Sequence, residues 1–224
     1  MRDAGQAVRY TDRREAGREL GRLLAAEFPT PAPDMVVLAL PRGGVPVAVE
    51  VAGALGAPLD VVVVRKLGLP GQPEVGAGAV TEDGVVFLDE ALLGRVRLTA
   101  GELEPVVAAE RAELARRVRS YRHGGAPVPL AGRTAVVVDD GLARGVTAVA
   151  AVRAVRARGA AVVVLAVPVA SGEGLRRLVP ECDAVVCPTV VERFGAVGRY
   201  YRDFAQVSDT EVRILLGGGS PRRG

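Results

Sequence analysis

Two carboxylates stand side by side in this chain, Asp139 and Asp140, directly after the apolar run Val136, Val137, Val138. Gly141, Leu142, Ala143, Arg144, Gly145, Val146 and Thr147 follow, and helix-like spacing begins at Val146. A helix start presents free backbone N–H groups and the positive end of its dipole, which suits a phosphate dianion. Gly145 lets the backbone approach such an anion closely, and the Thr147 hydroxyl adds a donor. The acid pair can accept hydrogen bonds from the vicinal hydroxyls of a sugar, or reach Mg²⁺ through water. Asp-Asp-Gly alone would mark a turn. Strand, acid pair, Gly-x-Thr and helix in one run mark an anion cradle beside a diol clamp.

Such loops need a scaffold, and the apolar pattern supplies one. Residues 12–28 carry Ala16, Leu20, Leu23, Leu24 and Phe28 at helical spacing, with Asp12 and Glu15 as a capping pair and Pro29, Pro31 and Pro33 beyond. Runs of Val, Leu and Ala at 35–40, 59–64, 134–138 and 161–167 are apolar on both faces, which predicts strands of a parallel sheet covered on each side. Helices are expected at 45–55 and 146–158, the second ended by Gly159. Strand, glycine turn, helix and strand in repetition is α/β wound topology, a three-layer and mostly parallel sheet. A charged helix is expected over 103–121, behind a capping box of Thr99 and Glu102 and ahead of Gly124 and Gly125. Lone His123 at its end reads as a surface residue. Residues 76–88 read as a hairpin turning at 82–84. The chain divides into one domain over 1–216 and a flexible tail over 217–224.

Composition narrows the function. The 224 residues are 49% hydrophobic, with four Phe, four Tyr and no Trp, so the core is aliphatic. Net charge is +3, too diffuse to argue for nucleic acid. Cys182 and Cys187 suit neither a disulfide framework nor, with one histidine, a zinc set, and both read as buried inert thiols. No apolar run is long enough to span a membrane and the first residues are polar, which leads us to expect a cytoplasmic protein. There is no P-loop, dinucleotide fingerprint, nucleophile elbow or zinc-protease motif.

The run 136–147 resembles, position by position, the signature of the type I phosphoribosyltransferases, enzymes of 5-phosphoribosyl-1-pyrophosphate (PRPP). The likeness spans roughly residues 12–216. It implies that Asp139 and Asp140 hold the ribose hydroxyls and Mg²⁺, and that Ala143 to Thr147 hold the 5′-phosphate. Leu40, Pro41, Arg42, Gly43 and Gly44 match the family's pyrophosphate loop, where a cis peptide is expected at Pro41–Arg42. Two phosphate loops on neighbouring strand ends fit a ligand with phosphate at both ends. Arg65 and Lys66 are the candidates for a basic contact to the diphosphate, ahead of a mobile loop over 67–74. The implied reaction transfers phosphoribosyl from PRPP to a nitrogen acceptor and releases pyrophosphate, with catalysis resting on Asp139, Asp140, Arg42 and Lys66. A homodimer is compatible with it. A regulator that binds PRPP without turnover is the alternative. Two departures matter: Arg144 stands where many members carry Thr, and Ala143 where 6-oxopurine enzymes carry an acid. The resemblance further implies a small hood built from the terminal segments, in which Phe194, Tyr200, Tyr201 or Phe204 stack on the acceptor. With no general base at Ala143, an adenine-like, pyrimidine-like or non-nucleobase nitrogen acceptor is expected ahead of a 6-oxopurine, unless another segment delivers an acid such as Glu74 or Asp203.

Overall fold

The computed structural model describes residues 9–28, 31–32, 34–122 and 124–217. The expectations for Pro29, Pro33, His123 and residues 218–224 lie outside the described residues. Helix α1 (Arg13–Glu27) starts as expected, with the Asp12 carboxylate accepting the Glu15 N–H at 2.8 Å. Strand β1 (Met35–Ala39) is buried at all five positions, and helix α2 (Gly44–Leu55) ends on Gly56 in the left-handed region, φ +61°. Strand β2 (Leu59–Val61) pairs in parallel with β1.

Here the chain departs from the expected single strand over 59–64. It leaves the main sheet after Val61 and enters an antiparallel ribbon of β3 (Val64–Leu69), β4 (Gln72–Thr81) and β5 (Val86–Leu88). The stretch 67–74, expected to be a loose loop, is two strand ends around a turn at Pro70 and Gly71. Leu67 and Leu69 explain this, because both point the same way along β3 and are buried. The expected turn at 82–84 joins β4 to β5. Helices α3 (Glu90–Val96) and α4 (Glu104–Arg122) follow, and the Thr99–Glu102 capping box starts the 3-10 turn that leads into α4.

The second half alternates as the pattern requires: β6 (Thr134–Val138), α5 (Val146–Ala157), β7 (Val162–Ala166), β8 (Val169–Ser171), α6 (Gly172–Leu178), β9 (Ala184–Val186), β10 (Thr189–Val191) and α7 (Asp209–Leu215). The main sheet is parallel throughout, in the order β2-β1-β6-β7-β9. Alternate strand residues serve opposite faces. Val37, Ala39, Val136 and Val138 pack with α1, α2 and α4 on one side. Val36, Leu38, Ala135 and Val137 pack with α5 and α6 on the other. This is a three-layer α/β fold.

A buried ionic cluster fastens the ribbon to the sheet. Arg122 at the end of α4 donates through Nε to Asp60 at 2.9 Å and through Nη2 to the Val61 carbonyl at 2.6 Å. It also pairs with Glu82, whose Oε1 lies 3.4 Å from Arg158 of α5. Asp60 in turn accepts the Val128 N–H at 2.9 Å. Arg122, Asp60 and Glu82 are each under a tenth exposed. Removing the cation leaves two acids buried without their partner, so Arg122→Met should destabilise the fold by about 3–5 kcal/mol, read from denaturant unfolding.

Candidate functional site

Strands β1 and β6 are neighbours in register, Ala39 opposite Val138, so the loops that follow them leave from the same sheet edge. The Leu40 N–H donates to the Val138 carbonyl at 2.8 Å, extending the pairing one step into the loops. The Pro41–Arg42 peptide is cis, as the resemblance implied. Beyond it the two glycines face the two acids. A Cβ on Gly43 would lie 2.0 Å from Asp140 Oδ2, and one on Gly44 would lie 2.6 Å from the Val138 carbonyl and 2.9 Å from Asp139 Cα. The glycine pair is what allows the acid pair to sit there.

The two carboxylates point to different surroundings. Asp139 accepts the Asp140 N–H at 2.8 Å and bounds a cavity of about 230 Å³. Asp140 accepts from Arg13 Nε at 2.8 Å. Burial pushes both carboxyl groups above the ordinary carboxylate range; the neighbouring Asp140 adds to the rise at Asp139, and Arg13 works against it at Asp140. Arg13 is held in its turn, donating to the Ala205 carbonyl at 2.8 Å with its guanidinium 3.8 Å from the centre of the Phe204 ring. The Tyr201 hydroxyl donates to the Asp140 carbonyl at 2.6 Å. Burial raises that phenol well above its ordinary value, which keeps it a donor.

The loop after the acids is braced from behind. Gly145 adopts φ +76°, and a Cβ there would meet Leu178 of α6 at 2.6 Å. The Ser171 hydroxyl donates to the Ala143 carbonyl while capping α6 through the Gly174 N–H at 2.8 Å. Ala143 and Arg144 are exposed, and α5 begins at Val146 with its first turn toward the cavity that Gly141 to Ala148 line. Lys66 and Glu74 complete that wall from the ribbon, with Lys66 Nζ donating to the Glu74 carbonyl at 2.8 Å. Glu74, one of the acids expected to replace the one absent at position 143, lines the same cavity as Ala143. Asp203 does not reach it, and lines a separate cavity of about 200 Å³ with Arg13 and Arg14.

The expected residues therefore divide. Asp139, the loop 141–147 and Lys66 converge on one cavity, with Gly43, Gly44 and Asp140 packed beside it. Arg65 is engaged elsewhere, paired with Glu110 of α4 at 2.6 Å. Arg42 lies 3.7 Å from Asp209 at the start of α7, a residue that also accepts the Tyr121 hydroxyl at 2.7 Å. The hood expectation fails for three of its four aromatics. Phe194, Tyr200 and Tyr201 are buried with Tyr10 in a cluster of their own, and the Phe194 and Tyr200 rings stack on each other at 5.1 Å. Tyr200 donates its hydroxyl to the Phe194 carbonyl at 3.0 Å. Their faces are already used, and Phe204 is covered by Arg13. These rings pack the segment around Tyr10 against residues 194–204. Arg13 was not singled out from sequence: it is one arginine among many on a polar helix start, and its partner is 127 positions away. The cysteines are half-buried rather than buried, with thiols pushed up to about 11 by desolvation, which keeps them protonated and poor nucleophiles. No helix among the described residues is long and apolar enough to cross a membrane.

A family model for the phosphoribosyl transferase domain matches residues 7–204. A candidate phosphoribosyl transferase of Mycobacterium tuberculosis, found in two strains, is 48% identical over 207 residues, which is 92% of this chain. The chain spans 46% of the length of those relatives. A crystal structure of the Thermus thermophilus protein TT1426 is 45% identical and superposes with a TM-score of 0.77 over 93% of this chain and 97% of that one. An Aquifex aeolicus protein, AQ2163, shares the fold at 12% identity, with a TM-score of 0.51 over 85% of each chain.

The close contact between glycine and acid pairs can be tested by adding single methyl groups. Gly44→Ala drives a Cβ into backbone that cannot swing aside, and should destabilise by about 1–3 kcal/mol, the range for overpacking. Gly53 sits in the same helix with nothing within 4 Å of its Cβ position. There Gly→Ala should stabilise by about 0.5–1 kcal/mol, since helix propensity acts alone. Thermal unfolding of the two variants should move in opposite directions.

Proposed function

From the premise that this chain belongs to the phosphoribosyl transferase family, we propose that it binds PRPP with Mg²⁺ and transfers the phosphoribosyl group to a nitrogen acceptor, releasing pyrophosphate. This reading places the protein in the nucleotide metabolism of the cytoplasm. The observation that carries it is the meeting of two loops at adjoining strand ends, with Gly43 and Gly44 seated against Asp140 and Asp139.

Each part of the ligand has a counterpart. The 5′-phosphate takes the N–H groups around Gly145 and the Thr147 hydroxyl, where the start of α5 favours an anion. The ribose hydroxyls reach toward Asp139. The diphosphate lies along Arg42 to Gly44, and Lys66 neutralises part of its charge from the ribbon side. To serve there, Arg42 must exchange a long contact with Asp209 for the ligand, which is a small step because that pair is 3.7 Å apart and partly solvated.

Mg²⁺ fits the donor set. It favours oxygen ligands, keeps waters, and is commonly held by one or two carboxylates together with substrate phosphates. A carboxylate whose charge is opposed by burial and by a neighbouring acid, as at Asp139, gains from a cation beside it. Bound there, the ion would stabilise the charge that develops on the departing diphosphate. The chain's own part is to orient the sugar, hold the leaving group and keep water from C1. Glu74 lines the same cavity as Ala143 and is the candidate to manage a proton on the acceptor, so the missing acid at position 143 does not by itself exclude a 6-oxopurine.

Calorimetry should detect PRPP binding that depends on Mg²⁺; no binding at millimolar ligand would end this reading. Pyrophosphate release should appear with at least one of hypoxanthine, guanine, adenine, uracil and orotate. Asp139→Asn should lower that rate by ~10²-fold or more, the scale for losing a positioned electrostatic contact. Binding without pyrophosphate release for any acceptor would instead favour a PRPP-binding regulator.

A further inference from the structure

We propose that Arg13 is a positioning residue for the acid pair: it turns Asp140 into a strut between sheet and hood, and so leaves Asp139 as the member that meets the ligand. The inference rests on the PRPP reading above and assigns the two acids different roles within it.

Asp140 is fixed from several directions. Its Oδ2 atom accepts from Arg13 Nε at 2.8 Å, and the same atom lies where a Gly43 side chain would have to be. Its carbonyl is held by the Tyr201 hydroxyl at 2.6 Å. Both partners of the ion pair are largely enclosed, with side chains 11% and 14% exposed. An ion pair so shielded is not the loose surface kind that contributes little. Removing either partner would leave the other charge buried without its counterpart.

Arg13 is equally constrained. One Nη donates to the Ala205 carbonyl, and the guanidinium plane lies against Phe204, which itself stacks on Tyr201 at 5.1 Å. Arg13 opens α1, while Tyr201, Phe204 and Ala205 belong to the segment ahead of α7. The start of α1 and the segment 201–205 thus converge on Asp140, and Arg13 joins them at its carboxylate. Asp139 has no bond to Arg13 in this assembly and instead lines the cavity shared with the loop 141–147 and Lys66.

Positioning partners of this type, outside the ligand's direct contacts, commonly change affinity by ~10–100-fold when removed. Calorimetric titrations of wild type, Arg13→Met, Arg13→Lys, Asp140→Asn and the double variant Arg13→Met with Asp140→Asn test the role. Two probes are used: Mg²⁺ with PRPP, and inorganic phosphate for the phosphate loop alone. We expect Arg13→Met to weaken PRPP by ~10–100-fold while phosphate binding is kept, and Arg13→Lys to recover part of the loss. The double variant should bind no worse than the poorer single variant, because both substitutions remove one interaction. Loss of phosphate binding together with PRPP in Arg13→Met would mean that Arg13 only supports the fold, and would overturn the inference. Unchanged PRPP affinity, or additive losses in the double variant, would overturn it as well while leaving the PRPP reading intact. Failure of wild type to bind PRPP would remove the reading and the inference together.

Discussion

At the end of β6, Asp139 and Asp140 place two like charges in adjacent positions at the rim of a buried sheet, and burial opposes the ionisation of both. The surrounding structure answers that opposition one element at a time. Glycines at 43 and 44 remove the side chains that would otherwise stand in the way. A guanidinium from the first helix takes one acid, and a cavity with a helix start and a lysine opens beside the other. Arg13 thus bonds Asp140 directly and acts on Asp139 only through its charge.

The fold was largely readable because its signals are local. Runs of Val, Leu and Ala at 35–40, 134–138 and 161–167 are buried on both faces, and only a parallel sheet between helices uses such strands. The run at 59–64 misled because, Asp60 apart, it is apolar throughout, yet its first half serves the sheet and its second half leads into a ribbon. Nothing in the composition of four consecutive valines marks the point of departure. The three-residue strands β8, β9 and β10 were missed for a related reason, being too short to show any period.

At the site, the run 139–147 was legible as one unit because strand, acid pair, glycine and helix start follow one another in sequence, while Lys66, which lines the same cavity, entered through the resemblance. Arg13 and the Arg122 cluster were not legible, since an ion pair between distant positions leaves no mark on either sequence neighbourhood. Arg65 shows the converse. It sits beside Lys66 and looks equivalent, but alternation along β3 turns the two side chains apart, one toward α4 and the other toward the cavity. The aromatic residues near 200 looked like a platform because their partners, Tyr10 and each other, could not be seen from the segment itself.

The closure of residues 9–13 on residues 200–205 also has a bearing on the order in which the molecule can be made. Tyr10 pairs its backbone with Tyr201, and Arg13 reaches a carbonyl 192 positions away. During synthesis the segment ahead of α1 must wait until residues 200–205 have emerged, while β1, α2 and β6 can already associate. Contacts of such long sequence separation carry the largest closure entropy and form late. The bracing of Asp140 by Tyr201 and of Arg13 by Ala205 is therefore among the last parts to assemble, and a ribosome-bound chain that has yet to expose residues 200–205 would hold the two loops with an incompletely braced acid pair.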